Sequence, residues 1–309
     1  MKVLVTGGAG FIGSHFVDLL IEKKEVTSVI VVDALTYAGS LVNLKNSMSH
    51  IDFVHADIRN LDEMKKVVPG VDVVVNFAAE THNDNSLGDH VPFLETNIIG
   101  TANLLQIAAE GNIRFHQVST DEVFGDFPVE SEEEWDSYSP YQPSSPYSAS
   151  KASADHLVRA WVRSHGLSAT ISICSNNYGA RQHSEKLIPK AIKSLAIYGR
   201  APVYGNGQNI REWIHVKDHV EGIWATLEHG ESGSTYLFGT GDRVDNATLV
   251  KSIAIQMGKQ LDAIEFVEDR KGHDRRYAIN SDETHQKLGW RPRRGKIVDS
   301  LEELVSEYE

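Results

Sequence analysis

Lys2-Val3-Leu4-Val5-Thr6-Gly7-Gly8-Ala9-Gly10-Phe11-Ile12-Gly13 is a short β-rich run that breaks into glycines. A helical pattern follows from Ser14 to about Lys23. Gly8, Gly10 and Gly13 satisfy G-x-G-x-x-G, and Gly7 is an extra glycine. Glycines permit a tight turn and let the backbone approach a pyrophosphate, while the helix N-terminus offers free N–H groups and a positive dipole end. Val29 to Val32 is a second apolar strand and ends at Asp33, 20 positions beyond Gly13. An acid at that distance accepts hydrogen bonds from an adenosine ribose. It would repel a 2′-phosphate, which favours NAD over NADP. Alone, the glycines would be an ordinary tight turn and Asp33 a polar strand end. The order strand, glycines, helix, strand, acid points to a dinucleotide site.

The pattern continues outward. Asp52 to Val54 reads as a strand ending at Asp57-Ile58, and Leu61 to Val68 as a helix. Val71 to Phe77 is an almost uninterrupted apolar strand, as expected where a parallel sheet buries both faces. It ends at Ala78-Ala79-Glu80, small residues that suit either a close cofactor or plain packing. Phe93 to Ala109 reads as one long helix with Leu94, Ile98, Leu105 and Ala109 on its apolar face. Phe115 to Val118 leads into Thr120, Asp121 and Glu122. A proline- and serine-rich loop, Pro140 to Pro146, precedes a helix from Tyr147 to about His165, and Ala169 to Ser175 is another strand. Alternation of this kind predicts an α/β fold, a Rossmann-type doubly wound parallel sheet. Ligands collect beyond the carboxyl ends of such strands, where Asp33, Asp57, Ala79 and Thr120 all fall.

After Asn176-Asn177-Tyr178-Gly179 the regular alternation fades. A helix is expected over Lys186 to Ala196, and a glycine-rich loop over Val203 to Arg211. We expect two domains: a dinucleotide-binding domain over residues 1–175 and a smaller mixed α/β substrate domain over 176–309, with some segments returning to the first.

Three groups of residues carry chemistry. Asp121-Glu122 places two carboxylates at the end of a buried strand, where charge is rare unless used or paired. Tyr147 and Lys151 are four apart and share one helix face. Asp269 to Tyr277 is basic within an acidic protein, which suits either an anionic ligand or a solvated loop. His82-Asn83-Asp84-Asn85 has metal-ligand residue types without ligand spacing, so no metal is expected there.

The 309 residues allow about two domains of ~150 residues. Hydrophobic residues at 41% and charged residues at 24% are ordinary for a soluble globular chain. A net charge of −13 argues against nucleic acid and anionic membranes as partners. Cys174 is the only cysteine, so no intrachain disulfide is possible. No leader pattern and no apolar run of the ~18 residues needed to span a membrane is visible. A cytoplasmic protein is expected.

Together these motifs resemble the extended short-chain dehydrogenases/reductases, and within them the dTDP-glucose 4,6-dehydratases. The resemblance is carried by Gly7–Gly13, Asp33–Gly39, Ala78–Glu80, Ser119–Gly125, Ser145–Lys151, Asn176–Gly179, Glu185–Pro189, Asn209–Trp213 and Asp269–Tyr277. Tyr-x-x-x-Lys marks the superfamily; Thr120-Asp121-Glu122 discriminates, since related 4-epimerases lack the Asp-Glu pair and decarboxylases carry Ser-Glu. The resemblance implies NAD-dependent oxidation of a nucleotide-linked hexose at C4, loss of water across C5 and C6, and hydride return to C6. It implies Tyr147 as base for the 4-hydroxyl with Lys151 beside it, Glu122 as base at C5, Asp121 as acid for the 6-hydroxyl and Thr120 on the 4-oxygen. The Tyr147 phenol would need its pKa lowered from ≈ 10, with Lys151 and the oxidised nicotinamide supplying positive charge.

It further implies cofactor contacts from Gly7, Gly10, Phe11, Ile12, Gly13, Asp33, Leu35, Thr36, Asp57, Ile58, Ala78, Ala79, Thr96, Tyr147, Lys151 and Asn177. Substrate contacts would come from His82, Thr120, Asn176, Lys186, Leu187, Pro202, Tyr204, Arg211, Asn246 and His273, of which Leu187, Pro202 and Tyr204 equally suit packing. A homodimer through the Phe93–Ala109 and Tyr147–His165 helices is implied. The chain departs from the family pattern at Asn83-Asp84-Asn85-Ser86, where Val-Asp-Arg-Ser is usual, and at Ala180 and Ser184, where prolines are usual. These departures leave UDP-N-acetylglucosamine or another nucleotide hexose open as substrate. A 4-epimerase or decarboxylase, or a non-catalytic dinucleotide sensor, are the competing readings.

Overall fold

The protein is described by a computed structural model over residues 1–308. The first half alternates strand and helix: β1 (Lys2–Thr6), α1 (Phe11–Glu22), β2 (Ser28–Asp33), β3 (Asp52–His55), α2 (Leu61–Val67) and β4 (Val73–Asn76). Then come α3 (Asn83–Gly88), α4 (Val91–Phe93), a π-helical segment (Leu94–Gly100), α5 (Thr101–Glu110), β5 (Arg114–Thr120), α6 (Pro146–His165) and β6 (Ala169–Cys174). The second half holds β7 (Asn176–Tyr178), α7 (Leu187–Tyr198), β8 (Ala201–Tyr204), β9 (Ile210–His215), α8 (Val216–His229), β10 (Thr235–Phe238) and β11 (Arg243–Asp245). It closes with α9 (Asn246–Gln256), β12 (Ile264–Val267), α10 (Asp282–Leu288) and α11 (Leu301–Tyr308).

The main sheet has seven strands in the order β10-β6-β5-β4-β1-β2-β3, and every pairing is parallel. β4 and β6 are buried along their whole length, as both-face burial requires. One face packs Leu4, Val74, Leu104, Phe115 and Val158. The other packs Val3, Val5, Phe16 and Leu20 with Val220, Ile223 and Trp224 of α8. Helix α8 and strand β10 thus return to the main sheet after β7–β9 have left it. Helix α10 packs beside them through Leu288 against Tyr236 and Phe238, and the other second-half elements form a three-stranded sheet, β11-β9-β7, and a parallel pair, β12-β8, around Ile188, Ile192, Leu195, Leu249, Ile253 and Leu304.

Two expectations need correction. The helix expected over Phe93 to Ala109 is interrupted by the π segment, whose wider turn shifts the phase of everything beyond it. Leu94 therefore sits outside the core at 40% exposure, while Phe93, Asn97 and Leu104 turn inward. The loop expected from Val203 to Arg211 is instead flanked by strand at both ends, because β12 and β7 supply ladder partners far away in sequence. Among the described residues, no helix is long and apolar enough to cross a membrane.

Candidate active site

Helix α6 holds Tyr147 and Lys151 in place. Ser145 caps it and closes a reciprocal capping box with Ser148, Pro146 occupies the first turn, and Gly166 ends it at φ 66°. Tyr147 and Lys151 lie on its buried face. Lys151 Nζ donates to the Val118 carbonyl of β5 at 2.6 Å. Burial pulls the Lys151 ammonium down, and buried Asp155 opposes that pull. Asp155 accepts hydrogen bonds from Ser119 at 2.7 Å and Tyr141 at 3.1 Å.

The Tyr147 phenol is pushed well above its ordinary range, first by burial and then by the Glu122 charge. Burial and the Glu122 charge thus push against the lowering expected from Lys151 and the oxidised nicotinamide together.

The acid pair begins where β5 ends. Thr120 caps the 3₁₀ turn Asp121–Phe124, its hydroxyl accepting from the Glu122 N–H at 3.4 Å and donating to Asp121 Oδ1 at 3.2 Å. Asp121 is 3% exposed, and its Oδ2 has no partner. Its carboxyl is pushed well above the ordinary range, by burial first and the Glu122 charge second. Glu122 is raised as well, by burial, with Arg270 opposing. Two adjacent carboxyls so placed resist double ionisation.

Two connected cavities meet here. The first is lined by the glycine turn, by the strand ends at Asp33, Asp57-Ile58, Ala78-Ala79 and Thr120–Glu122, and by Thr36, Thr96, Tyr147, Lys151 and Asn177. The second is lined by His82, Leu187, Lys190, Pro202, Tyr204, Arg211, Asn246, Arg270, His273 and Tyr277. Thr81, Glu122, Asn176, Glu185 and Lys186 line both. Of the residues expected to touch cofactor, Leu35 alone does not line the cavity. Its backbone is left-handed at φ 50°, its N–H bonds Asp33 Oδ1 at 2.8 Å, and its side chain packs into the core behind.

The first cavity fits a dinucleotide. A Cβ at Gly13 would stand 2.3 Å from the Gly7 carbonyl, and one at Gly7 (φ +67°) would stand 2.6 Å from the Ala78 nitrogen, so only glycine allows this turn. Gly10 caps α1 without any side-chain hydrogen bond, which leaves the opening N–H groups of the helix for an anion. Asp33 Oδ2 accepts from the Ala9 N–H at 2.9 Å, so the acid braces the glycine turn as well as facing the cavity. Asn177 is held by His219, whose Nδ1 donates to Asn177 Oδ1 at 3.0 Å.

The second cavity carries the positive charge. Arg211 is anchored through the carbonyls of Ile210 and Asp274 at 2.9 and 2.8 Å and lies over the Tyr277 ring at 4.2 Å. Lys186 Nζ donates to the Thr81 carbonyl at 3.0 Å. Buried polar atoms without protein partners include Asn176 Oδ1, Asn246 Oδ1 and Arg270 Nε, all on residues that line it. His273 donates Nδ1–H to Asp269 at 2.7 Å and is lowered to about 4, chiefly by burial.

Sequence reasoning missed several lining residues. Arg270 lay within the basic stretch and Glu185 beside Lys186, so both were within reach of that reading. Asn83 lay in the polar loop where the chain departs from the family pattern, so it too was within reach. Asn97 lines neither cavity and carried no local signal; turned inward by the π segment, it accepts from the Glu80 N–H at 2.9 Å and donates to Ser150 Oγ at 2.8 Å, tying the Glu80 cavity wall to α6.

Fold and site together define an extended short-chain dehydrogenase/reductase. The family model for GDP-mannose 4,6 dehydratase matches residues 4–307. The chain is 46% identical to the dTDP-glucose 4,6-dehydratase of Mycolicibacterium smegmatis over 100% of this chain and 93% of that protein. It superposes on the dTDP-glucose 4,6-dehydratase of Streptomyces venezuelae, solved with NAD bound, at a TM-score of 0.95 and 42% identity, covering 100% of this chain and 97% of that one. A UDP-glucose 4-epimerase from Thermotoga maritima matches at 0.91 with 27% identity, covering 100% and 98%. The chain belongs to the dTDP-glucose 4,6-dehydratase family.

Proposed function

We propose that this protein is an NAD-dependent dTDP-glucose 4,6-dehydratase, forming the 4-keto-6-deoxy sugar nucleotide. The observation that supports this reading is the pairing of buried Asp121 with half-buried Glu122 on the wall of the first cavity, which Tyr147 and Lys151 also line, with Glu122 lining the second as well. A 4-epimerase needs the redox groups but has no elimination for such a pair to perform.

NAD supplies a hydride acceptor at C4 and the hydride that returns to C6. Every proton movement falls to the chain. Tyr147 takes the 4-hydroxyl proton, and Thr120 steadies the 4-oxygen through its hydroxyl. The ketone acidifies the C5 proton, which Glu122 removes and whose place a proton from Glu122 fills again as the hydride reaches C6. Asp121, held protonated by burial, delivers its proton to the departing 6-hydroxyl as water leaves. The cycle is redox-neutral, so the cofactor stays bound. Arg211 and Lys186 bind the diphosphate, and Asn176 the sugar. Leu187, Pro202, Tyr204, Asn246 and His273 bind the nucleoside.

We infer a matching division of labour, with residues 1–175 holding the cofactor and 176–309 mainly the nucleotide sugar. We also infer a homodimer. Leu87, Val91, Leu94 and Ile99 are 42%, 48%, 40% and 55% exposed along one short stretch, an apolar surface that a second copy would cover. A cytoplasmic setting suits the substrates and the single buried thiol of Cys174.

The test is incubation with dTDP-glucose followed by alkali. The expected result is the absorbance of a 4-keto-6-deoxy product, weaker or absent with UDP-, CDP- and GDP-hexoses. No product from any of them overturns the reading, and product from UDP-N-acetylglucosamine alone reassigns the substrate. Light scattering tests the dimer.

A further inference from the structure

Asn83 is the first residue of α3. Its Nδ2 donates to Glu122 Oε2 at 2.9 Å. A carboxylate offers only acceptors, so the amide nitrogen is the atom that faces it. Among the described residues this is the only side-chain donor bonded to the Glu122 carboxylate.

The turn that presents Asn83 is tied down on both sides. His82 Nδ1 accepts from the Asn85 N–H at 3.2 Å, and Ser86 Oγ donates to the Asn83 carbonyl at 2.7 Å. The next residue, Asp84, is clasped from across the second cavity by Arg270 Nη1 at 3.2 Å and by the Tyr204 hydroxyl at 3.1 Å. The amide is therefore held in place before any substrate arrives.

We propose that Asn83 is a positioning residue: its amide holds Glu122 in the charged, proton-accepting form and fixes Oε2, leaving Oε1 to take the C5 proton. This rests on the reading of Glu122 as the C5 base.

The surroundings of Glu122 explain why a neutral donor matters there. Burial pushes the carboxyl up, Asp274 adds to that push, and Asp121 is the adjacent carboxyl on the same turn. Arg270, Lys186 and Arg211 oppose it with their charge. Tyr147 and Tyr277 also feel the Glu122 charge, which pushes both phenols up. A direct ion pair would favour the carboxylate so strongly as to blunt its basicity. An amide favours the charged form and leaves the charge in place.

The experiment compares wild type, Asn83→Ala and the near-isosteric Asn83→Asp with dTDP-glucose in heavy water. It reads reduced cofactor, deuterium entering C5, and the pH dependence of kcat. An NMR titration of the Glu122 carboxyl carbon accompanies it. For Asn83→Ala we expect KM within about twofold, kcat lower by about tenfold, and the acidic limb raised by about one pH unit, the size of one lost bond to a charged group. Asn83→Asp should move the limb further, because it sets a carboxylate against a carboxylate. In both variants C4 oxidation survives, so reduced cofactor accumulates while C5 exchange slows. Wild-type exchange and an unmoved limb in both variants overturn the role of Asn83 alone. So does a loss of C4 oxidation equal to the loss of C5 exchange. A wild type without C5 exchange on any nucleotide hexose overturns the dehydratase reading, and this inference with it.

Discussion

Lys151 of α6 reaches across to β5 and donates a 2.6 Å hydrogen bond to the carbonyl of Val118, two residues before Thr120. That bond fixes the helix carrying Tyr147 against the strand that ends in the acid pair. Tyr147 and the Asp121-Glu122 pair thus share one frame of helix and strand.

Lys151→Met breaks this frame. C4 oxidation, followed by the absorbance of reduced cofactor, should fall at least ~100-fold. Stability should fall by roughly 1–3 kcal/mol in denaturant unfolding, for the lost bond and for Asp155 left buried without its cation. Unchanged oxidation in the variant would remove Lys151 from the chemistry.

Asp121→Asn keeps the shape and removes the transferable proton. C5 exchange should persist while water loss slows by ~100-fold or more. The stability effect has a definite sign. The folded carboxyl lies well above its ordinary 3.8, so its contribution is fully present below pH 3.8 and is lost as pH rises through the folded value. At neutral pH the variant should melt higher than wild type, and the difference should vanish in acid. A lower melting temperature at neutral pH would contradict the burial argument.

Gly13→Ala puts a methyl group 2.3 Å from the Gly7 carbonyl. The turn must open, and the helix N-terminus then loses its aim. Wild type should release NAD on acid treatment after purification and show a thermal shift with added NAD. The variant should do neither, and retention of cofactor at the wild-type level would show that the turn tolerates a side chain.

His116 and His219 are fully buried, and burial lowers each to about 3. Both are neutral in the folded chain and charge on unfolding below their ordinary 6.5. Their contribution is present above pH 6.5 and is lost as pH falls toward 3, at up to about 1.4 kcal/mol per pH unit for each imidazole. Urea unfolding at several pH values should show this slope. His219→Asn should remove half of it, and an unchanged slope would mean that His219 is already solvated.

Much of this protein was legible locally. The glycine turn, Asp33, the buried strands and the Tyr147–Lys151 face are short-range patterns, because turn geometry and helical periodicity act over a few residues. Even the acid pair announced itself, since two carboxylates ending a buried strand require a use. What the tertiary structure decided lies where distant segments meet. Leu94 turned outward because a π segment changed the helical phase. Leu35 turned away from the cavity because its left-handed backbone serves Asp33 instead. β10 joined a sheet whose other six strands lie within residues 2–174, through pairing with β6. Tyr147 is pushed upward by its burial and by the Glu122 charge, neither of which its own helix shows. Asn83 met Glu122 across 39 positions of sequence, and Arg270 met Asp84 across 186. The sequence by itself determined which groups exist and which local element carries each. Only the packing of distant segments determined which of them touch, because burial, hydrogen-bond partners and electrostatic neighbours are properties of three-dimensional proximity.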